Sequence, residues 1–183
     1  MEYTRVVHPL APIFDRNSRV LLLGSMPSPK SRELGFYYAH PQNRFWRVLS
    51  GVFQEEIRAD TASRTAFLLR HGIALWDVLH DCEIAGAGDQ SIRIPQANDL
   101  LPILQQTEIR SVFTTGSKAG QLYERLCFPQ TGIHARVLPS TSPANCRYSL
   151  EALISAYRAL LEVPSRFMRK IICRLRLNEV NRQ

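Results

Sequence analysis

Nowhere in its 183 residues does the chain approach the ~20 consecutive apolar positions that a membrane helix requires. Its opening Met1-Glu2-Tyr3-Thr4-Arg5 also lacks the apolar centre of a secretory signal, so the sequence reads as cytoplasmic. Cysteine is scarce: Cys82, Cys127, Cys146 and Cys173 lie 45, 19 and 27 residues apart, with no C-x-x-C pair to close around zinc or an iron–sulfur cluster. They read as reduced, mostly buried thiols, a cluster assembled from four distant thiolates being the weaker alternative. Also missing are the G-x-S-x-G elbow, the Walker phosphate loop, the G-x-G-x-x-G fingerprint and H-E-x-x-H. Hydrolases of the α/β type, P-loop enzymes, dinucleotide enzymes and zincins are thereby disfavoured, and neither metal nor cofactor is expected. His8, His71, His80 and His134 are scattered and read as surface or internally satisfied imidazoles. There is no internal repeat.

The composition is that of one globular domain with a sizeable core: 45% apolar, 9% aromatic and 21% charged. A formal charge of +7 suits a polyanionic partner. Most of it sits at one end, because residues 164–183 hold six basic side chains against Glu179 alone, which is +5 of the +7. The expected division is a domain over residues 1–163 and a basic C-terminal extension over 164–183. The extension has the spacing of a basic amphipathic helix, and three roles stay open for it: docking on the domain, DNA contact, or a membrane surface.

Short Val/Ile/Leu-rich runs at Arg19–Ser25, Gly72–Leu79, Ile109–Gly116 and Ala135–Ser142 read as buried parallel strands. Helical spacing fills Asn43–Phe53, Asp60–Arg70, Asn98–Thr107, Ser117–Cys127 and Ser149–Leu161. Alternation of the two predicts βαβ units and an α/β fold: a three-layer α/β/α sandwich around a four-stranded parallel sheet. Glu83–Gln90 reads as a flexible loop.

In such a sheet, ligands bind at the carboxyl ends of the strands. Three of those ends are small and polar: Gly24-Ser25-Met26-Pro27-Ser28, Thr114-Thr115-Gly116-Ser117 and Pro139-Ser140-Thr141-Ser142-Pro143-Ala144-Asn145. Each alone is compatible with an ordinary strand-to-helix turn; three at one edge favour a site for a planar or anionic ligand. The segment Gly35–Trp46 holds five of the chain's sixteen aromatic residues in twelve positions. Phe45, Trp46 and Leu49 have core spacing, whereas Tyr37, Tyr38, His40 and Asn43 are free to stack and hydrogen-bond a nucleobase.

GSMPS after the first strand, YYAHPQNRFW beyond it, GIALWDVL on the second strand and LPSTSPAN after the last resemble, in that order, the uracil-DNA glycosylase superfamily. The match is greatest to its hypoxanthine-DNA (deoxyinosine) glycosylase branch and spans roughly Arg19 to Leu161. The resemblance implies a uracil-DNA glycosylase-like fold and a monofunctional enzyme of base excision repair. Such an enzyme flips a deaminated base from DNA and hydrolyses its N-glycosidic bond, hypoxanthine first, with xanthine and uracil as further candidates. Relatives that act on mismatched uracil carry an Asn two residues after the motif-one Gly, where this chain has Met26. In the hypoxanthine branch the water-positioning role falls to the Asn of HP-x-N-R-F-W, here Asn43. A neutral amide can orient water through its carbonyl and stabilise a sugar that is becoming an oxocarbenium ion.

By the same carry-over, Tyr38 stacks on the flipped base, and backbone amides along Gly24, Ser25, Met26, Pro27 and Ser28 meet its edge. Asp77 matches a polar base-reading position, with a loop-capping carboxylate as its alternative. Ser140, Thr141, Ser142, Pro143, Ala144 and Asn145 grip phosphates and send a wedge into the duplex, with Lys30, His40, Arg44 and Arg147 as further DNA contacts. Lys30 is the nearest lysine and a phosphate contact, so a Schiff-base lyase is disfavoured. The implied partner is DNA bearing a deaminated base, met by a monomer near the nucleoid. Two other readings stay open: a mismatch uracil or thymine glycosylase, and a non-catalytic nucleic-acid-binding module.

Overall fold

The computed structural model describes residues 2–86 and 88–163; the basic extension expected over 164–183 lies outside the described residues. In chain order come β1 (Thr4–Val7), β2 (Val20–Gly24), α1 (Pro29–Glu33), α2 (Phe45–Phe53), α3 (Thr61–Arg70), β3 (Ile73–Asp77) and β4 (Leu79–Ile84). A 3-10 turn at Asp89–Ser91 leads to β5 (Arg93–Ala97) and α4 (Leu101–Gln106). Then follow β6 (Ser111–Thr115), α5 (Ser117–Leu126), α6 (Phe128–Thr131), β7 (Ala135–Leu138), α7 (Leu150–Tyr157) and a closing 3-10 turn at Arg158–Glu162.

The four apolar runs become β2, β3, β6 and β7, which form one parallel sheet in the order β3-β2-β6-β7. Its two faces follow from strand alternation. Val20 and Leu22 of β2 point to one side, where they join Leu49 and Val52 of α2, Phe67 and Leu68 of α3, and Leu153 and Tyr157 of α7. Leu21 and Leu23 point to the other, into Ile103 of α4 and Leu122 and Tyr123 of α5. That is the three-layer sandwich expected from the sequence. Local signals start the helices: Asp60 Oδ1 accepts the Ser63 N–H at 2.7 Å and Ser149 Oγ accepts that of Ala152 at 3.1 Å. Gly51 lets α2 and α7 touch, since a Cβ there would stand 2.4 Å from Ile154 Cδ1. Among the described residues no helix is long and apolar enough to cross a membrane.

A second sheet was not expected. β1, β4 and β5 pair antiparallel in the order β1-β4-β5, with β4 following β3 after a single residue, Val78. It packs through Val6, Cys82 and Ile84 beneath the α4–α5 face. The stretch Glu83–Gln90 is accordingly only part loop: Glu83 and Ile84 end a strand, and Asp89 opens a 3-10 turn tied to Ser25. Residues 8–13 form a strap along β3, where Ile13 and Leu75 exchange backbone hydrogen bonds of 2.9 and 2.8 Å. The strap covers the outer edge of the parallel sheet.

Candidate active site

The carboxyl ends of β2 and β3 are joined by register, Gly24 opposite Asp77. The Asp77 carboxylate lies directly on the Gly24 backbone, because a Cβ at Gly24 would be 2.2 Å from Asp77 Oδ1 and 3.1 Å from the Tyr38 hydroxyl. Only glycine leaves that space. Asp77 is 3% exposed, and its Oδ2 meets His8 Nε2 at 2.9 Å. The Leu10 N–H donates to His8 Nδ1 at 3.2 Å, so Nδ1 is the acceptor and Nε2–H the donor to Asp77. The strap is fixed in turn by Tyr37, whose hydroxyl donates to the Ala11 carbonyl at 2.9 Å, and by Trp76 Nε1 on the Leu10 carbonyl at 3.2 Å. Asn98 Nδ2 donates to the carbonyls of Asp77 and Leu79 at 2.9 and 3.0 Å, which holds the β3–β4 junction from below. Asp77 is therefore no simple loop cap.

Ser25 is buried at the next position and donates its hydroxyl to Asp89 Oδ2. Burial pushes the Asp89 carboxyl pKa up, the Ser25 hydrogen bond opposes this, and the nearby Asp77 charge adds to the rise. Met26 sends its side chain into the apolar layer with Leu21, Leu23 and Leu100, which leaves to its backbone the contact expected with the base edge. Pro27 is buried, and its carbonyl accepts from Arg32 at 2.7 Å. Ser28 Oγ caps α1 by accepting the Ser31 N–H at 3.2 Å. Lys30, on that short helix, pairs with Glu33 at 2.7 Å at the surface.

Phe45 and Trp46 are buried as their spacing foretold, but so are Phe36 and Tyr37, and Tyr37, expected to be free for a base, is instead packed in the core with its hydroxyl on the strap. Tyr38 is the exception. Its backbone is left-handed at φ 52°, its ring stacks on Phe45 at 3.8 Å and 9°, and its hydroxyl bonds Thr115 Oγ1 at 2.9 Å. Burial and then the Asp77 charge push the hydroxyl's pKa up. His40 closes a turn by accepting the Asn43 N–H at its carbonyl, 2.8 Å, and the Gln42 N–H at Nδ1, 3.2 Å. That turn presents Asn43. Its Oδ1 accepts from the Phe45 N–H at 3.0 Å and from the Thr141 hydroxyl at 2.9 Å. Both lone pairs of the carbonyl expected to hold water are thus in use, and the Nδ2 amino group is the free end of the carboxamide.

Thr141 is 1% exposed and sits at the heart of the loop that follows β7. Ser140 Oγ accepts the Ser142 N–H at 3.2 Å, Ser142 Oγ that of Ala144 at 3.3 Å, and Asn145 Nδ2 donates to the Ser140 carbonyl at 2.8 Å. Arg44 points inward as well: it donates to the Tyr148, Ser142 and Asn145 carbonyls, the last at 2.7 Å. It acts as a strut which ties the loop to the start of α2. Pro143, Ala144 and Arg147 remain exposed on the loop's outer side.

The Asn43 carboxamide rests on the Ser-Thr-Ser turn, and the Asp77 carboxylate rests on Gly24. A family model for the uracil DNA glycosylase superfamily matches residues 11–162. The chain belongs to that superfamily. It is 34% identical over 139 residues to a hypoxanthine DNA glycosylase of Methanosarcina acetivorans, which covers 75% of this chain and 87% of the relative. A hypoxanthine DNA glycosylase of Methanosarcina barkeri is 32% identical, over 74% of this chain and 86% of its own length. The solution NMR structure of a Methanosarcina acetivorans protein, provisionally described as a uracil DNA glycosylase, superposes with a TM-score of 0.70 at 30% identity. That overlap covers 87% of this chain and all of the other.

Within this superfamily fold, the residues the sequence concealed are His8, Asn98 and Asp89. His8 lies 69 positions from its partner, and only the alternation of Leu79–Ile84 could have hinted at a strand that carries the chain back to it. Among the described residues no group of three or more His, Cys, Asp or Glu side chains is placed to hold a metal ion. The arrangement offers hydrogen-bond acceptors at one end, on Asp77 and Asp89, and an amide donor at the other, on Asn43.

Proposed function

We propose that this superfamily member is a monofunctional DNA glycosylase of base excision repair that releases hypoxanthine from deoxyinosine, with xanthine and uracil as further substrates. The observation that carries this reading is the contact of Asn43 Oδ1 with the Thr141 hydroxyl at 2.9 Å, which brings the HP-x-N-R-F-W segment and the Ser-Thr-Ser turn together. The relatives' names support the choice of base.

An everted nucleotide is received at the carboxyl edge, its base between Tyr38 and the Gly24–Ser28 turn with Asp77 on its edge. Its phosphates lie along the loop from Ser140 to Arg147, with Lys30 and His40 on the opposite rim. The C1′–N bond breaks with its electron pair leaving on the base, and water adds to C1′, its proton passing to the base or to solvent. Asn43 holds that water through Nδ2, which leaves a lone pair on the water for C1′. A weak nucleophile suffices because an oxocarbenium-like sugar is a strong electrophile. Flipping costs a few kcal/mol, least for a poorly paired base such as hypoxanthine. All the groups invoked come from one chain, so a monomer acting on DNA in the cytoplasm is sufficient.

The test is release of base from duplexes containing inosine, xanthosine or deoxyuridine, scored as strand breaks after alkali. Breaks at inosine that vanish in Asn43→Ala, with DNA binding retained, support the reading. Salt-dependent binding without a break on any substrate would leave only a nucleic-acid-binding module.

A further inference from the structure

His8 belongs to none of the four motifs and precedes the stretch matched by the family model, residues 11–162. It is nevertheless built into the site. The side chains of His8 and Asp77 are 2% and 5% exposed and 2.9 Å apart. The imidazole lies between two rings, tilted at 6.2 Å to Tyr37 and edge-on at 6.1 Å to Trp76. Its acceptor nitrogen is taken by the Leu10 N–H, which dictates that Nε2–H faces the carboxylate. Among the described residues no donor bonds the other oxygen, Asp77 Oδ1, which rests against Gly24 beside the Tyr38 hydroxyl. The pair thus satisfies one oxygen and leaves the second at the carboxyl end of the sheet, against Gly24.

We propose that His8 is a positioning residue which presents Asp77 Oδ1 as a fixed acceptor, and that the pair selects bases carrying a ring N–H. Deamination converts the ring nitrogen beside the lost amino group from an acceptor into an N–H donor: N1 in hypoxanthine against adenine, N3 in uracil against cytosine. An oriented carboxylate oxygen pairs with that donor and faces a lone pair in the undamaged base, so the cost of a mismatch falls on adenine and cytosine. The other groups around the pair do not duplicate this role: Tyr37 and Tyr38 are hydroxyls bonded to Ala11 and Thr115, and Asp89 is engaged by Ser25.

This inference rests on the glycosylase reading above, and the experiment separates the two. Single-turnover release of base is measured from duplexes carrying inosine or nebularine, whose purine ring has an unprotonated N1, for wild type, His8→Phe, His8→Gln, Asp77→Asn and the His8→Phe/Asp77→Asn double variant. Thermal melts check folding. His8→Phe keeps a ring and removes the donor; it is expected to lower the inosine rate and the inosine-to-nebularine ratio each by about tenfold, the size of one charge-assisted hydrogen bond. His8→Gln, which can still donate, is expected to recover part of the ratio. In the Asp77→Asn background, His8→Phe is expected to cost less than threefold, because both act through one oxygen. An unchanged ratio in folded His8→Phe, or additive losses in the double variant, would overturn the inference while leaving the glycosylase intact. Failure of the wild type on inosine would instead remove the parent reading.

Discussion

Exchange of Asn43 for Asp and for Ala separates what the side chain does for the fold from what it does for the reaction. In the protein, Oδ1 accepts two hydrogen bonds, from the Phe45 N–H and the buried Thr141 hydroxyl. Asn43→Ala forfeits the first, worth about 1 kcal/mol, and strands the second donor, at about 1–3 kcal/mol. A loss of about 2–4 kcal/mol corresponds in a domain of this size to a Tm lower by about 10 °C. Asn43→Asp preserves both acceptors, so its stability should stay within about 1 kcal/mol of wild type. What it replaces is the Nδ2 donor. If that donor holds the water, release of hypoxanthine under single-turnover conditions should fall about 10–100-fold in Asn43→Asp, the equivalent of one oriented hydrogen bond in the transition state. Calorimetry and alkali cleavage of inosine duplexes measure the two quantities on the same samples. An Asp variant within threefold of wild type would show that the amino group is dispensable, and the proposed water site would then be wrong.

Gly24→Ala should destroy base release while leaving secondary structure intact by circular dichroism, because its Cβ would occupy the position of Asp77 Oδ1, 2.2 Å away; retained activity would show that the carboxylate can move without consequence. Asp89 has a pKa raised in the folded state by burial, so the native protein holds that proton more tightly than the unfolded chain and loses stability as pH climbs above about 4. Asp89→Asn should therefore gain Tm over wild type, with a larger gain at pH 7.5 than at pH 4; a gain that is flat or larger in acid contradicts the assignment. Cys146 is exposed, whereas Cys82 is buried and burial pushes the Cys127 thiol up to about 12. Thiol labelling mapped by mass spectrometry should mark Cys146 under native conditions and reach Cys82 and Cys127 only in denaturant.

The parallel sheet was legible because its strands are buried on both faces and therefore run as unbroken Val/Ile/Leu segments, and the helices because apolar residues recur at helical spacing between those runs. The antiparallel sheet was not. β4, Leu-His-Asp-Cys-Glu-Ile, is half polar, β5 carries Pro95, and β1 is four residues long, so each falls below the signal that a strand leaves in composition. At the site, Asn43 and Thr141 stood in recognisable motifs, while the burial of the Met26 side chain and the bonds of Arg44 to loop carbonyls are set by the tertiary fold and left no local pattern. His8 and Asp89 had no local signature at all, since a partner 69 or 64 positions away is set by topology alone.

The strap at residues 8–13 brings His8 onto the buried Asp77 carboxylate and Ile13 onto β3. A recombinant version trimmed to the family-model boundary at residue 11 would retain every recognised motif yet leave Asp77 without its imidazole. Such a trimmed protein invites misclassification as a weak or unselective repair enzyme. For this chain, the choice of first residue therefore decides whether the His8–Asp77 contact is present in the protein that is assayed.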